Sequence, residues 1–222
     1  MVTERLRSYV TDFAEPTAFE IELTDRNNIS LSWVQISRWT SFQCRGDNRV
    51  RYDELAAQYN DLSYNRRVSF FSPGPGPPGR SFASNEIASI NVVSDTDFSA
   101  EYPAGTSLAG FVRLLSASPM RFIESGYQKT FDWQNNRPAD FLREPTLDRF
   151  IHQNHFPISG VLSELVPDDF RLLGTGGGCW NGWLFGFLVF DKEPENLGTH
   201  NLTVTIYRTD GQVLSQTIEK RF

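Results

Sequence analysis

The longest apolar run in the chain, Trp183-Leu-Phe-Gly-Phe-Leu-Val-Phe190, is hydrophobic on both faces of an extended backbone. That pattern predicts a strand covered on both sides, in the middle of a sheet. The next run, Leu202-Thr-Val-Thr-Ile-Tyr-Arg208, alternates with period two, meets Asp210-Gly211 and continues to Ile218. A two-residue turn at Asp210-Gly211 would set Leu202, Val204 and Ile206 opposite Glu219, Thr217 and Ser215 and waste the buried face. A three-residue loop, Thr209-Asp210-Gly211, sets Ile206 opposite Leu214 and Leu202 opposite Ile218, because a one-residue slip exchanges the faces. The pattern therefore predicts a type I turn closed by Gly211 as a left-handed bulge.

The rest of the chain reads less sharply. Residues 1–15 are mixed and polar, which predicts a loosely ordered arm or a short first helix. Phe19, Ile21 and Leu23 alternate with polar residues as a half-exposed strand, and Asp25-Arg-Asn-Asn28 supplies turn chemistry. A second strand runs from Ile29 to about Trp39. Its apolar positions change parity from Ile29, Leu31 and Trp33 to Val34 and Ile36, which predicts a bulge near Trp33-Val34 or burial of both faces. Tyr52, Leu55, Ala56 and Tyr59 stand at helical spacing within residues 51–60. The Pro/Gly run Ser72–Gly79 predicts an exposed hairpin loop between Val68–Phe71 and Glu86–Val93. Ser107 reads as the N-cap of a short helix with Leu108, Phe111, Val112 and Leu115 on one side. Met120–Ile123 and Tyr127–Trp133 read as strands, and Pro145-Thr146 opens a second short helix.

Composition fits this picture. Aromatics form 14 % of the residues and Phe alone accounts for 18, whereas Ala- and Lys-rich helical runs are scarce. The expectation is one all-β domain over residues 1–222, a β-sandwich of immunoglobulin-like type with two or three short peripheral helices. Net charge is −6 and no basic run exceeds Arg66-Arg67, which argues against nucleic acid as a partner. No run approaches the roughly 20 apolar residues that span a bilayer. Met1 is not followed by an apolar export core, so the chain reads as cytoplasmic or as preceded by a targeting segment upstream of residue 1. Cys44 and Cys179 are two separate thiols by default, with a single disulfide as the alternative.

The stretch Ser89-Ile-Asn-Val-Val-Ser-Asp-Thr-Asp-Phe-Ser-Ala-Glu-Tyr-Pro-Ala-Gly-Thr-Ser-Leu108 resembles an uncharacterised family of surface lipoproteins from Bacteroidetes-type bacteria. That family has a strand, an acidic-aromatic turn and an Ala-Gly-x-Ser-Leu helix start. The likeness covers residues 86–115 and, less specifically, 183–218, where the family closes on an Asp-Gly hairpin. It implies a β-sandwich, a cell-envelope location at the outer-membrane surface or periplasm, and a lipid-bearing Cys upstream of residue 1 as the only membrane attachment. It implies no activity and carries over no catalytic residue.

Motifs with chemical potential resolve mostly to structural readings. Gly174-Thr-Gly-Gly-Gly-Cys179-Trp180 lacks the third glycine and following helix of a dinucleotide loop, and the Lys and Ser/Thr of a phosphate loop. Cys179 as a nucleophile would need a later His, and His200 follows too closely for the papain-like pattern. His152 and His155 stand one turn apart, with Asp148 before them, but lack a third ligand and a general-base Glu. Asp95, Asp97, Ser99 and Glu101 alternate like calcium ligands, yet Ala100 and Thr106 occupy the positions of the needed Gly and bidentate Glu. Arg45-Gly46-Asp47 is explained by turn composition. The pairs Asp95/Asp97, Asp168/Asp169 and Glu193/Glu195 are the only tools for a glycan-acting hydrolase, the alternative to a binding module. Among the five Trp, Trp33 and Trp183 fit core strands. Trp39, Trp133 and Trp180 lie near strand ends or loops and are the candidate ligand-binding residues, for a glycan or a surface protein. No cofactor or metal is expected, and the leading expectation is a non-catalytic envelope binding or structural module.

Overall fold

Period-two alternation becomes eleven strands among the described residues. The computed structural model describes residues 2–70, 80–84, 86–150, 152–174 and 183–222. In chain order the strands are β1 (Val2–Leu6), β2 (Asp12–Leu23), β3 (Ile29–Ser41), β4 (Arg66–Phe70), β5 (Ser81–Ala83), β6 (Ile87–Ser94), β7 (Val112–Ser118), β8 (Phe156–Val161), β9 (Trp183–Phe190), β10 (Thr199–Arg208) and β11 (Val213–Arg221). The helices are α1 (Asp47–Gln58), α2 (Met120–Glu124) and α3 (Trp133–Asn136), with 3-10 turns at Ala139–Arg143, Pro145–Phe150 and Pro167–Phe170. A six-stranded sheet, β5-β2-β3-β9-β7-β8, faces a three-stranded sheet, β11-β10-β6, and β1 pairs with β4 as a separate ribbon. The protein is an all-β sandwich with short peripheral helices. Among the described residues no helix is long and apolar enough to cross a membrane.

The two-sided strand is β9, seated between β3 and β7. Phe185 and Leu188 face the sandwich core with Ile29, Leu31, Val204 and Ile206. Phe187 and Val189 face the opposite side, under Trp133, Phe141 and Leu147. Phe185 and Phe187, two positions apart, reach opposite faces because the β3–β9 pairing skips Phe185, passing from Leu31↔Gly186 to Ser32↔Leu184. Gly186 is required there, since an added Cβ would stand 2.8 Å from Leu114 Cδ1 and 3.2 Å from the Leu115 carbonyl oxygen. The β10–β11 hairpin has the register set by the three-residue loop, with Ile206 opposite Leu214 and Leu202 opposite Ile218. Gly211 closes it at φ 84°.

Several local expectations are corrected. Residues 2–15 are neither arm nor helix: they hold β1 and the opening of β2, where Phe13 and Ala14 are fully buried. The segment after Ser107 makes no helix, because the Leu108 amide bonds to the Val92 carbonyl and Ser107 bridges to Val93. The Ser107 hydroxyl does accept from the Ala109 amide at 3.2 Å, but the cap holds a single turn before β7 begins. Met120–Ile123 is helical where a strand was expected. Pro119 presets the turn, and the Ser118 hydroxyl accepts the Met120 amide. Tyr127–Trp133 is not a strand either, since the Ser125 hydroxyl captures the Gln128 and Lys129 amides and Asp132 caps α3. β4 and β6 do not form a hairpin, for β4 pairs with β1 and β6 with β10. The predicted loop Ser72–Gly79 lies outside the described residues.

A second core lies beside the sandwich. It gathers Tyr9, Phe13, Tyr52, Leu55, Tyr59, Phe82, Phe122 and Tyr127 from the N-terminal segment, α1, β5 and α2.

Candidate functional site

The exposed tryptophan site is produced by a bulge. In β3, Ile29, Leu31 and Trp33 are buried, and continued alternation would carry Trp39 inward with them. The β2–β3 ladder instead passes from Glu15↔Arg38 to Pro16↔Ile36, leaving Ser37 unopposed. The Ser37 hydroxyl fastens this step by donating to the Glu15 carbonyl at 2.6 Å. Gln35 takes φ 53°, and its carbonyl accepts from the Thr17 hydroxyl at 3.0 Å. The parity then changes: Thr40 is buried and Trp39 is 43 % exposed. A bulge that re-aims one side chain is a common device beside functional sites. The expected bulge at Trp33-Val34 therefore lies a few residues further along β3.

Trp39 leans edge-on against Trp183, with centroids 5.3 Å apart and planes at 66°. Trp183 is half-buried at the first position of β9 and opposite Trp33, which stacks on Phe185 at 4.4 Å. The exposed indole thus stands on ordered strands. Such an arrangement can take a sugar face or an apolar protein side chain by stacking.

The other candidates diverge. Trp133 is 8 % exposed, and its indole nitrogen donates to the carbonyls of His152 and His155, each at 3.0 Å. Its ring packs on Phe131 and Phe141. It borders a shallow surface hollow of about 410 Å³, but its faces belong to the core, which removes it as a stacking platform. Trp180 and Cys179 lie outside the described residues, and Cys44 is a free thiol. Trp183 was read as core from its apolar run. Only its place at the start of β9, where the glycine-rich segment ends, signals a partly open ring.

Four of the acidic motif residues, Asp95, Asp97, Asp148 and Asp169, are engaged within the fold. Asp95 accepts from the side chain and backbone amide of Asn201 at 2.7 and 2.9 Å, and these bonds hold its carboxyl below the ordinary carboxylate range. Asp97 accepts the Ala104 amide at 2.8 Å, and Asp169 the Val166 amide at 3.0 Å. Asp148 pairs with Arg137 at 2.6 Å. His155 is buried beside the Tyr9 hydroxyl at 3.4 Å, whereas His200 is buried elsewhere against the Ser94 hydroxyl at 2.8 Å. Among the described residues no three His, Cys, Asp or Glu are placed to hold a metal ion. Gly46 takes φ 60° ahead of α1, so the Arg45-Gly-Asp47 tripeptide serves as the entry to a helix.

Sequence patterns did not reveal the buried Asp61. Its carboxylate accepts the Tyr9 and Val10 amides at 2.7 and 2.8 Å and the Tyr127 hydroxyl at 2.9 Å. Burial pushes its pKa up against those bonds. Arg80 lies over the rings of Tyr9 and Tyr64, 4.8 and 4.9 Å from their centroids, and donates to the Tyr64 hydroxyl at 2.8 Å. Burial pushes the Tyr9 hydroxyl up to about 12. With three donors and no exposed surface, Asp61 has the chemistry of an anchor for the start of β2.

Searches against family models, curated proteins and solved structures return no match to this chain.

Proposed function

We propose that this chain is a non-catalytic binding module of the cell envelope, and that it engages a glycan or protein ligand through Trp39, which leans edge-on against Trp183. The observation that carries the reading is the outward-turned Trp39 ring, 43 % exposed on a bulged strand and backed by a second indole. Large aromatic rings on rigid supports lose little conformational freedom on binding. The engagement of Asp95, Asp97 and Asp169 with backbone amides favours binding over carboxylate-pair hydrolysis. The envelope location rests on the resemblance of residues 89–108 to surface lipoproteins.

Two measurements test this. Titration of glycan libraries and surface-protein extracts, read by tryptophan fluorescence, should yield a ligand whose affinity falls about tenfold or more in Trp39→Ala. An unchanged affinity in that variant removes the platform. Fractionation of native cells should place the full-length product in the envelope with lipid attached upstream of residue 1, and a soluble cytoplasmic product defeats the location.

A further inference from the structure

The sequence shows no basic run longer than Arg66-Arg67, but the fold brings separated arginines together. The β1–β4 ribbon sets Arg5 directly opposite Arg67 and Leu6 opposite Arg66. Like charges directly opposed across a ladder are destabilising without a counter-charge. Beside this ribbon lies a cavity of about 460 Å³, within the range of small-molecule sites. Arg5, Arg7 and Arg49 line it, and Asp53 is the only carboxylate in its wall among the described residues. Asp53 is already bound to Arg49 at 3.0 Å, so it is not free to compensate Arg5 and Arg7. Neither forms an ion pair with another described residue, in a chain whose net charge is −6. The remaining wall is largely apolar, with Phe42, Tyr52 and an exposed Leu62.

We propose that this cavity binds a small ligand with an oxyanion head, phosphate or carboxylate, on an apolar or aromatic body. The guanidinium groups of Arg5 and Arg7 supply planar donor forks for the head, a pairing that is stronger than neutral hydrogen bonding. Phe42 and Leu62 cover the body. Arg49 is less available, because Asp53 and the Phe42 carbonyl already take its donors. This site is separate in its residues from the Trp39–Trp183 platform and does not depend on it.

The test is calorimetric titration of the whole chain with phenyl phosphate, benzoate, inorganic phosphate and phenol. Saturable binding of phenyl phosphate or benzoate below about 10 mM is expected, tighter than inorganic phosphate, with none for phenol. The preferred head group identifies phosphate or carboxylate as the source. The double variant Arg5→Gln/Arg7→Gln, at two exposed side chains, should lose about tenfold or more in affinity while keeping the native circular dichroism spectrum. Leu62→Glu, which adds a negative charge at an exposed position of the wall, should weaken binding without removing an arginine. Arg26→Gln, in the exposed β2–β3 turn, should bind as the parent does. Absence of saturable binding by every oxyanion overturns the proposal. So does equal affinity in the double variant, or an equal loss in Arg26→Gln, which would show an effect of net charge alone.

Discussion

The two cores of this protein are held by different means. In the sandwich, Ile90, Val92, Leu202, Val204 and Ile206 interlock with Ile29, Leu31 and Leu188, and every one of these is an apolar side chain. In the N-terminal core the largest members are aromatic, and polar groups are buried among them. Asp61 holds the Tyr9 and Val10 amides, and Asp12 accepts from the hydroxyls of Thr11 at 2.7 Å and Ser81 at 3.0 Å. The sandwich is defined by repeated alternation, and its loss is a matter of area and cavity. The second core is defined by particular side-chain-to-backbone bonds, and its loss is a matter of unsatisfied polar groups.

The largest effect should come from the sandwich. Phe185 is 1 % exposed and stacks on Trp33, so Phe185→Ala should cost about 3–5 kcal/mol in urea unfolding. A cost below about 1 kcal/mol would mean that β9 is not central.

Asp61→Ala should cost about 2–4 kcal/mol, because it orphans two buried amides and a tyrosine hydroxyl together. Hydrogen exchange separates the two regions. The Tyr9 and Val10 amides should lose protection, while those of Leu202 and Val204 keep theirs. Equal loss at all four would merge the cores into one cooperative unit. The pH dependence sharpens the point. Burial raises the Asp61 carboxyl above its ordinary value of 3.8, so the folded chain retains a proton that the unfolded chain releases. That contribution to stability is present at low pH and declines as pH rises from about 3.8 through the raised value. Asp61→Asn removes this slope, and an unchanged slope would assign it to another group.

The same contrast explains what could be read from the sequence. β9 and the β10–β11 hairpin were legible because burial of one or both faces leaves a periodic mark. Loop length followed from which register buried Leu202, Val204 and Ile206. In the N-terminal core only α1 left such a mark, through Tyr52, Leu55, Ala56 and Tyr59 at helical spacing. Phe13 and Ala14 are adjacent and both fully buried, and Asp61 sits in an irregular segment whose partners are about 50 residues away in sequence. Ser107, Ser118 and Ser125 all cap or turn the backbone locally, yet one sustains only a turn before a strand and another begins a helix. The deciding bonds are tertiary, such as Leu108 to Val92. Trp39 was found as a strand-end aromatic, but its outward aim depends on Ser37, one residue too many in β3. The arginine cleft was invisible because Arg5, Arg7 and Arg49 are brought together only by the β1–β4 pairing and α1.

The smallest expected effect lies at the seam between the two sheets. Lys220 of β11 is 4 % exposed, and its ammonium donates to the Asn27 carbonyl in the β2–β3 turn. It lies over the rings of Phe222 and Phe190, 4.6 and 5.7 Å from their centroids. Asn27 answers by donating its side-chain amide to the Arg221 carbonyl at 2.8 Å, so turn and strand are clasped in both directions. Burial lowers the Lys220 pKa from 10.5 to about 8, with Glu193 acting in the opposite sense. Between those two values the unfolded chain binds the proton more tightly than the folded one, and stability should therefore rise with pH. Below about 8 both states carry the charge, and the folded state bears the cost of its desolvation. Lys220→Met keeps most of the stem and removes the titration. Urea unfolding of the two proteins across this range should show the native chain gaining on the variant as pH rises through the window. Parallel profiles would mean that the ammonium is fully compensated by Asn27 and the two rings, and that the seam, unlike the sandwich it joins, buries a charge at no net cost.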